Sequence, residues 1–262
     1  MTQIDFNRTK AMQPNTTTFN AAEPAFIYRP APARGRTQTD WLDSWHSFSF
    51  GDYHDARWMH FGPLRVINED TVAPAGGFAE HGHRDMDIIT VVLSGSLAHQ
   101  DSLGHGTRIL PGDVQRMTAG RGIRHSEFNA SDVEPVHFLQ IWIQPNQAGL
   151  TPNYQQISVS PQEYQGNWRL IASETGQGLS VRLNQDVKLY RGNITPDQSL
   201  KIEVLPGRSA WLQVISGESE LTGTEPLQKL SAGDGLGLKV EGVYTLTSSQ
   251  TLDALWFDLP SL

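Results

Sequence analysis

The chain has 262 residues, 38% hydrophobic and only 18% charged, with a net charge of −8 and no cysteine. That length suits one large domain or two of roughly 100–150 residues, with enough apolar side chains for a core. The acidic balance without a basic block excludes non-specific nucleic-acid binding and docking on an anionic membrane, and the missing cysteines exclude disulfides, zinc–thiolate sites and cysteine nucleophiles.

Residues 1–23 are polar, rich in Thr and Asn and free of periodicity, and read as a flexible N-terminal extension. No basic region leads into an apolar core, as a secretory signal would, and no stretch approaches the roughly 20 apolar residues of a membrane span, so a cytoplasmic location is expected. From residue 24 onward, runs rich in Val, Ile, Leu, Trp and Thr alternate with Gly, Pro, Asn, Asp and Ser. They predict strands at LRVIN (64–68), DIITVVL (87–93), GTRIL (106–110), VHFLQIWI (136–143), AWLQVI (210–215), GVYTLT (242–247) and DALWFDL (253–259). Many short strands with glycine turns, and few helix signals, predict an all-β sandwich or barrel.

The pattern repeats. ITVVLSGSLAHQ…RILPGDVQRM (89–117) parallels AWLQVISGESEL…QKLSAGDGLGL (210–238), placing Gly95 on Gly217 and Gly112 on Gly233, at offsets of 122 and 121. Two β-barrel units of about 120 residues each would fill the chain. They are expected at 24–150 and 151–262, with the proline-bearing stretch 144–156 as linker.

On a strand, residues i and i+2 share a face. His81 and His83 in EHGHRD, and His125 and Glu127 in IRHSEFN, therefore form two pairs of ligand-type side chains that a small barrel could aim at one point. Three imidazoles and a carboxylate suit Fe, Mn, Ni, Cu or Zn and leave one or two positions open. An isolated H-x-H is more often surface polarity; two such pairs flanking a strand–turn–strand unit favour a metal. The glycines of TAGRGIRHSE lack the Lys-Ser/Thr and following helix of a phosphate loop, so nucleotide binding is rejected and they are read as the turn leading to His125.

The block HGHRDMDIITVVLSGSLAHQDSLGHGTRILPGDVQRMTAGRGIRHSE, with WLDSWHSFSFGDY (41–53) and FLQIWIQP (138–145), resembles the pirin family of the cupin superfamily, in particular its bacterial quercetinase-like branch, from about residue 25 to the end. The resemblance implies a bicupin: two tandem cupin β-barrels, with one divalent metal ion in the N-terminal barrel. It implies His81, His83, His125 and Glu127 as ligands, Fe(II) as the first choice, and Mn, Ni, Cu, Co or Zn as alternatives. Two positions depart from the pattern. Gly82 stands where most members carry proline, which would loosen the segment. Asp87 stands where many cupins carry a ligating glutamate, and is read as a supporting or structural residue behind the ligands.

Applying the repeat offsets puts His81 and His83 on Glu203 and Leu205, and His125 and Glu127 on Leu246 and Ser248. No histidine follows His137, so the C-terminal barrel is expected to lack the site. Among other residues, Phe78, Gln140 and His46 are candidate pocket residues. Trp41, Trp45, Phe48 and Phe50 are read as core, His54 and His60 as surface, His99 and His105 as exposed on a hairpin, and His137 as packing. The family implies a metal-dependent dioxygenase of the EC 1.13.11 type, taking a flavonol or a related enolic or catechol substrate and O2, with Glu127 as base. The alternative is a metal-binding redox sensor that partners a transcription regulator.

Overall fold

The computed structural model describes residues 24–224 and 227–261; the extension expected at 1–23 lies outside them. Two all-β barrels repeat one plan, a seven-stranded sheet facing a four-stranded one. In the N-terminal barrel the larger sheet runs Asn153–Ser158, Asp113–Thr118, Asp87–Ser94, Val136–Ile143, Leu64–Val72, Leu42–His46, Gly35–Gln38, and the smaller Gly77–His83, Ile123–Asn129, Leu97–Asp101, Gly106–Ile109. In the C-terminal barrel the larger sheet runs Phe26–Arg29, Gly235–Leu238, Arg208–Ser216, Leu252–Pro260, Lys188–Ile194, Trp168–Ser173, Val181–Arg182, and the smaller Ser199–Val204, Gly242–Thr247, Glu218–Thr222, Gln228–Ser231. Among the described residues no helix is long and apolar enough to cross a membrane.

The two larger sheets pack face to face, which explains the apolar runs. Along Asp87–Ser94, Ile89 and Val91 enter the core shared with the other barrel, while Ile88, on the alternate face, packs with Met117, Ala119 and Ile123. A strand buried on both faces loses its polar alternation. The fully buried Trp211 centres the seam, its ring 5.0 Å from Phe48 and 5.3 Å from Phe61 of the N-terminal barrel. Gly95 and Gly217 are equivalent in structure as well as sequence. Both have positive φ (79° and 87°), and a Cβ there would lie 2.5 Å from the Pro135 carbonyl and 2.3 Å from that of Thr251.

The boundary near residue 150 is crossed in both directions. Phe26–Arg29, from the start of the first unit, pairs with Gly235–Leu238 of the second barrel. Asn153–Ser158, which begins inside the stretch 144–156 expected as linker, pairs with Asp113–Thr118 of the first. Each barrel thus closes the open edge of the other's large sheet.

The repeat also needs a shift in register. Leu221, four residues past Gly217 as His99 is four past Gly95, pairs with Leu246 as His99 pairs with Glu127. Tyr244 pairs with Ile202 as His125 pairs with His81, and Gly242 with Val204 as Ile123 with His83. The structural counterparts of the four candidate ligands are therefore Ile202, Val204, Tyr244 and Leu246, not Glu203, Leu205, Leu246 and Ser248. The connection before Gly242 is shorter than the one before Ile123, which displaces the second pair; a one-residue slip puts the first pair on the wrong face. All four counterparts are buried in one apolar core, whereas Glu203 is exposed.

Candidate metal centre

Gly77–His83 and Ile123–Asn129 pair antiparallel with His81 opposite His125. Period-two alternation then carries His83 and Glu127 onto the same inner face. The rings of His81, His83 and His125 form a near-equilateral triangle, with centroids 4.8, 4.5 and 4.8 Å apart. One donor atom from each lies within 4.8 Å of the others, and a second triad, His99, His125 and Glu127, meets the same limit. His125 belongs to both.

Hydrogen bonds prepare these groups. The Nδ1–H of His81 donates to the Ala79 carbonyl at 2.8 Å; a carbonyl only accepts, so Nε2 carries the free lone pair. Gln140 Nε2 donates to Glu127 Oε2 at 2.7 Å, and Gln140 Oε1 accepts from Trp142 Nε1 at 3.2 Å. The indole can only donate, which fixes the amide orientation. His125 Nε2 and Glu127 Oε1 are buried without a hydrogen-bond partner. Orphaned polar atoms are costly in a barrel interior, and a cation between them would satisfy both. The residues therefore fit a transition-metal ion.

Electrostatics agree. Burial, reinforced by neighbouring histidines, lowers His83 to about 4 and His125 to about 2, so both are neutral lone-pair donors at physiological pH. Burial raises Glu127 to about 7, against the lowering pull of the Gln140 hydrogen bond.

A cleft of roughly 540 Å³ opens onto the centre, lined by His81, His83 and Glu127 together with the three expected pocket residues, Phe78, Gln140 and His46. Its walls are aromatic: Trp41 meets Phe78 edge to face at 5.1 Å, and Phe50 meets Trp142 at 5.4 Å. Its polar end holds Asp70, which accepts from Ser44 Oγ and is raised to about 7 by burial. His46 is clamped neutral, with Nδ1 donating to Asn68 Oδ1 at 2.8 Å and Nε2 accepting from Thr37 Oγ1 at 2.9 Å.

Behind the centre, one polar row crosses five adjacent strands. His46 pairs with Asn68, Asn68 with Gln140, Gln140 with Thr90, and Thr90 with Gln115. Nothing in the linear sequence marks this row, because its members come from five separate strands.

Three expectations need correction or narrowing. Trp41 and Phe50, read as core, are half-buried and wall the cleft. Asp87 is fully buried, but its carboxylate accepts from Thr118 Oγ1 (2.6 Å), Asn184 N (2.7 Å) and Asn184 Nδ2 (3.0 Å). Its role is thus the structural one of the two expected: it ties the barrels together, and its hydrogen bonds go to Thr118 and Asn184 rather than to the candidate ligands. His99 is not exposed: it is 2% accessible and lies against His125, because inward alternation on Leu97–Asp101 continues through it. His105 is half-exposed, His137 bonds Glu69 at 3.1 Å, and His54 and His60 are exposed as expected.

Residues 29–143 match the model of the pirin family, and residues 170–259 match one described as the quercetinase C-terminal cupin domain. A quercetin 2,3-dioxygenase of Escherichia coli is 40% identical over 232 residues, covering 88% of this chain and 97% of its own. The chain belongs to the pirin family. A pirin-like protein of Caulobacter vibrioides is 34% identical over 233 residues, covering 88% of this pirin and 97% of that protein. Among solved structures, the bacterial pirin YhhW of E. coli in complex with nickel(II) superposes with a TM-score of 0.84 at 39% identity, covering 90% of this pirin and all of that chain. In this chain the two triads, His81–His83–His125 and His99–His125–Glu127, could hold a single transition-metal ion.

Proposed function

We propose that this pirin is a metal-dependent dioxygenase that opens a flavonol, or a related enolic or catechol ring, with O2. The observation that carries the reading is the three-histidine triangle with Glu127 at the inner end of an aromatic-walled cleft. When bound, the metal, Fe(II) before Mn, Ni, Cu, Co or Zn, supplies a Lewis acid that lowers the substrate hydroxyl's pKa and an open position for O2. The relatives named quercetin 2,3-dioxygenase support the substrate class.

The chain's own residues do the rest. The aromatic walls from Trp41 and Phe78 and from Phe50 and Trp142 suit a planar ring and shed water from around it. Glu127 is raised by burial towards neutrality, so its Oε1 can shift from ligand to base and take the substrate's hydroxyl proton while Gln140 holds Oε2. The test is to load the protein with Fe(II), then follow loss of flavonol absorbance together with O2 uptake and carbon monoxide release. Turnover that His125→Ala abolishes supports the reading. No turnover with any flavonol or catechol overturns it in favour of a metal-binding redox sensor.

A further inference from the structure

His125 is the residue on which the site turns, and its ring is held from behind. Asp101 starts the chain of contacts. Its carboxylate accepts from the backbone N–H of Leu103 (2.9 Å) and of His105 (3.1 Å) and from His105 Nδ1 (3.0 Å). A carboxylate so held accepts only, so His99 Nε2, 3.4 Å away, must donate to it. In a neutral imidazole the other nitrogen is then bare. Gln115 Nε2 points at that bare Nδ1 from 3.4 Å, consistent with an accepting atom. His125 Nδ1 faces the same lone pair at 3.5 Å, and can do so favourably only as N–H. The orientation thus passes from Asp101 through two imidazoles and leaves His125 Nε2 bare, and this is the buried atom without a partner.

We propose that His99 and Asp101 are positioning residues that select the Nδ1–H tautomer of His125 and so present its Nε2 to the metal. The inference rests on the reading of His125 as a ligand. Neither residue lines the cleft; both act from behind the ring of His125. Losing a partner behind a metal-ligating histidine typically weakens affinity by about 10–100-fold.

The experiment uses the full-length chain in two arms. The first reads the tautomer by ¹⁵N chemical shifts of His125 in metal-free protein, for wild type, His99→Leu, His99→Gln and Asp101→Asn. The second measures the nickel(II) dissociation constant of each. Expected are Nδ1–H in wild type, a shift towards Nε2–H with about 10–100-fold weaker nickel binding in His99→Leu, and recovery of both in His99→Gln, whose amide oxygen can accept from His125. Circular dichroism screens for folding; the Gln variant keeps the test intact if Leu misfolds. An unchanged Nδ1–H tautomer with wild-type affinity in His99→Leu or Asp101→Asn overturns the inference. Failure of wild type to bind nickel overturns the metal reading instead, and the tautomer arm still decides between the two.

Discussion

Gln140 donates to Glu127 across the N-terminal barrel at 2.7 Å, and Trp142 pins the amide that makes the bond. That bond opposes the effect of burial on Glu127. Gln140→Leu keeps the volume and removes the donor, so Glu127 should bind its proton more tightly and give up nickel(II) or Fe(II) about 10-fold more readily at neutral pH. Calorimetric titration of wild type and variant checks this.

Metal binding should depend on pH through Glu127. Its folded pKa is about 7, raised from the ordinary 4.5, so below pH 7 a proton must leave before the carboxylate can ligate. His83 and His125 are lowered to about 4 and 2 and impose no such cost down to pH 5. Affinity should climb about tenfold per pH unit from pH 5 to 7, with release of one proton, and level off above. Glu127→Gln should bind weakly and without this slope. Dissociation constants from pH 5 to 8 measure both.

Substitution in the second barrel separates stability from metal. Leu246 is the counterpart of Glu127 and is fully buried among apolar side chains. Leu246→Ala should cost about 2–5 kcal/mol of stability and leave metal content per folded chain unchanged. Denaturant titration and metal analysis on the same sample test the pair of outcomes.

The sequence made the four candidate ligands legible because each pair sits on one strand, where spacing alone sets the face. It also revealed the strands at 136–143 and 242–247 to the residue, and the duplication through Gly95 and Gly217. It was blind where position depends on pairing. His99 looks like a hairpin residue until strand alternation turns it inward. The row from His46 to Gln115 exists only once five strands are in register. The counterparts of the ligands could not be found by a constant offset, because loop lengths differ between the barrels. Asn153–Ser158 reads as linker since its polar residues carry no apolar alternation, yet its backbone completes a sheet.

Gly82 should prove replaceable. Its φ is not in the left-handed region, and a Cβ there would meet only the Ile123 carbonyl, at an ordinary 3.7 Å. Gly82→Ala should stabilise the chain by about 0.4–1 kcal/mol, through lost freedom of the unfolded state. Tighter metal binding in this variant would show that glycine softens the centre; unchanged binding would show that strand pairing already holds both histidines.

Asp87→Ala should strip Asn184 and Thr118 of their shared acceptor at the seam. With donors left unpaired in a buried site, the expected loss is on the order of 3 kcal/mol. Thermal unfolding should register that loss while the metal spectrum of the folded protein stays as in wild type.

The exchanged edge strands have a consequence for biosynthesis. The segment 26–29 emerges from the ribosome early, yet its pairing partner, 235–238, is made almost last. The first barrel in turn cannot seal its edge until residue 158 has been synthesised. A nascent chain stopped at residue 150 would present Asp113–Thr118 as an open strand, a template for association with other chains. The two halves are thus bound to fold as one unit, and a gene encoding either alone should yield aggregated product.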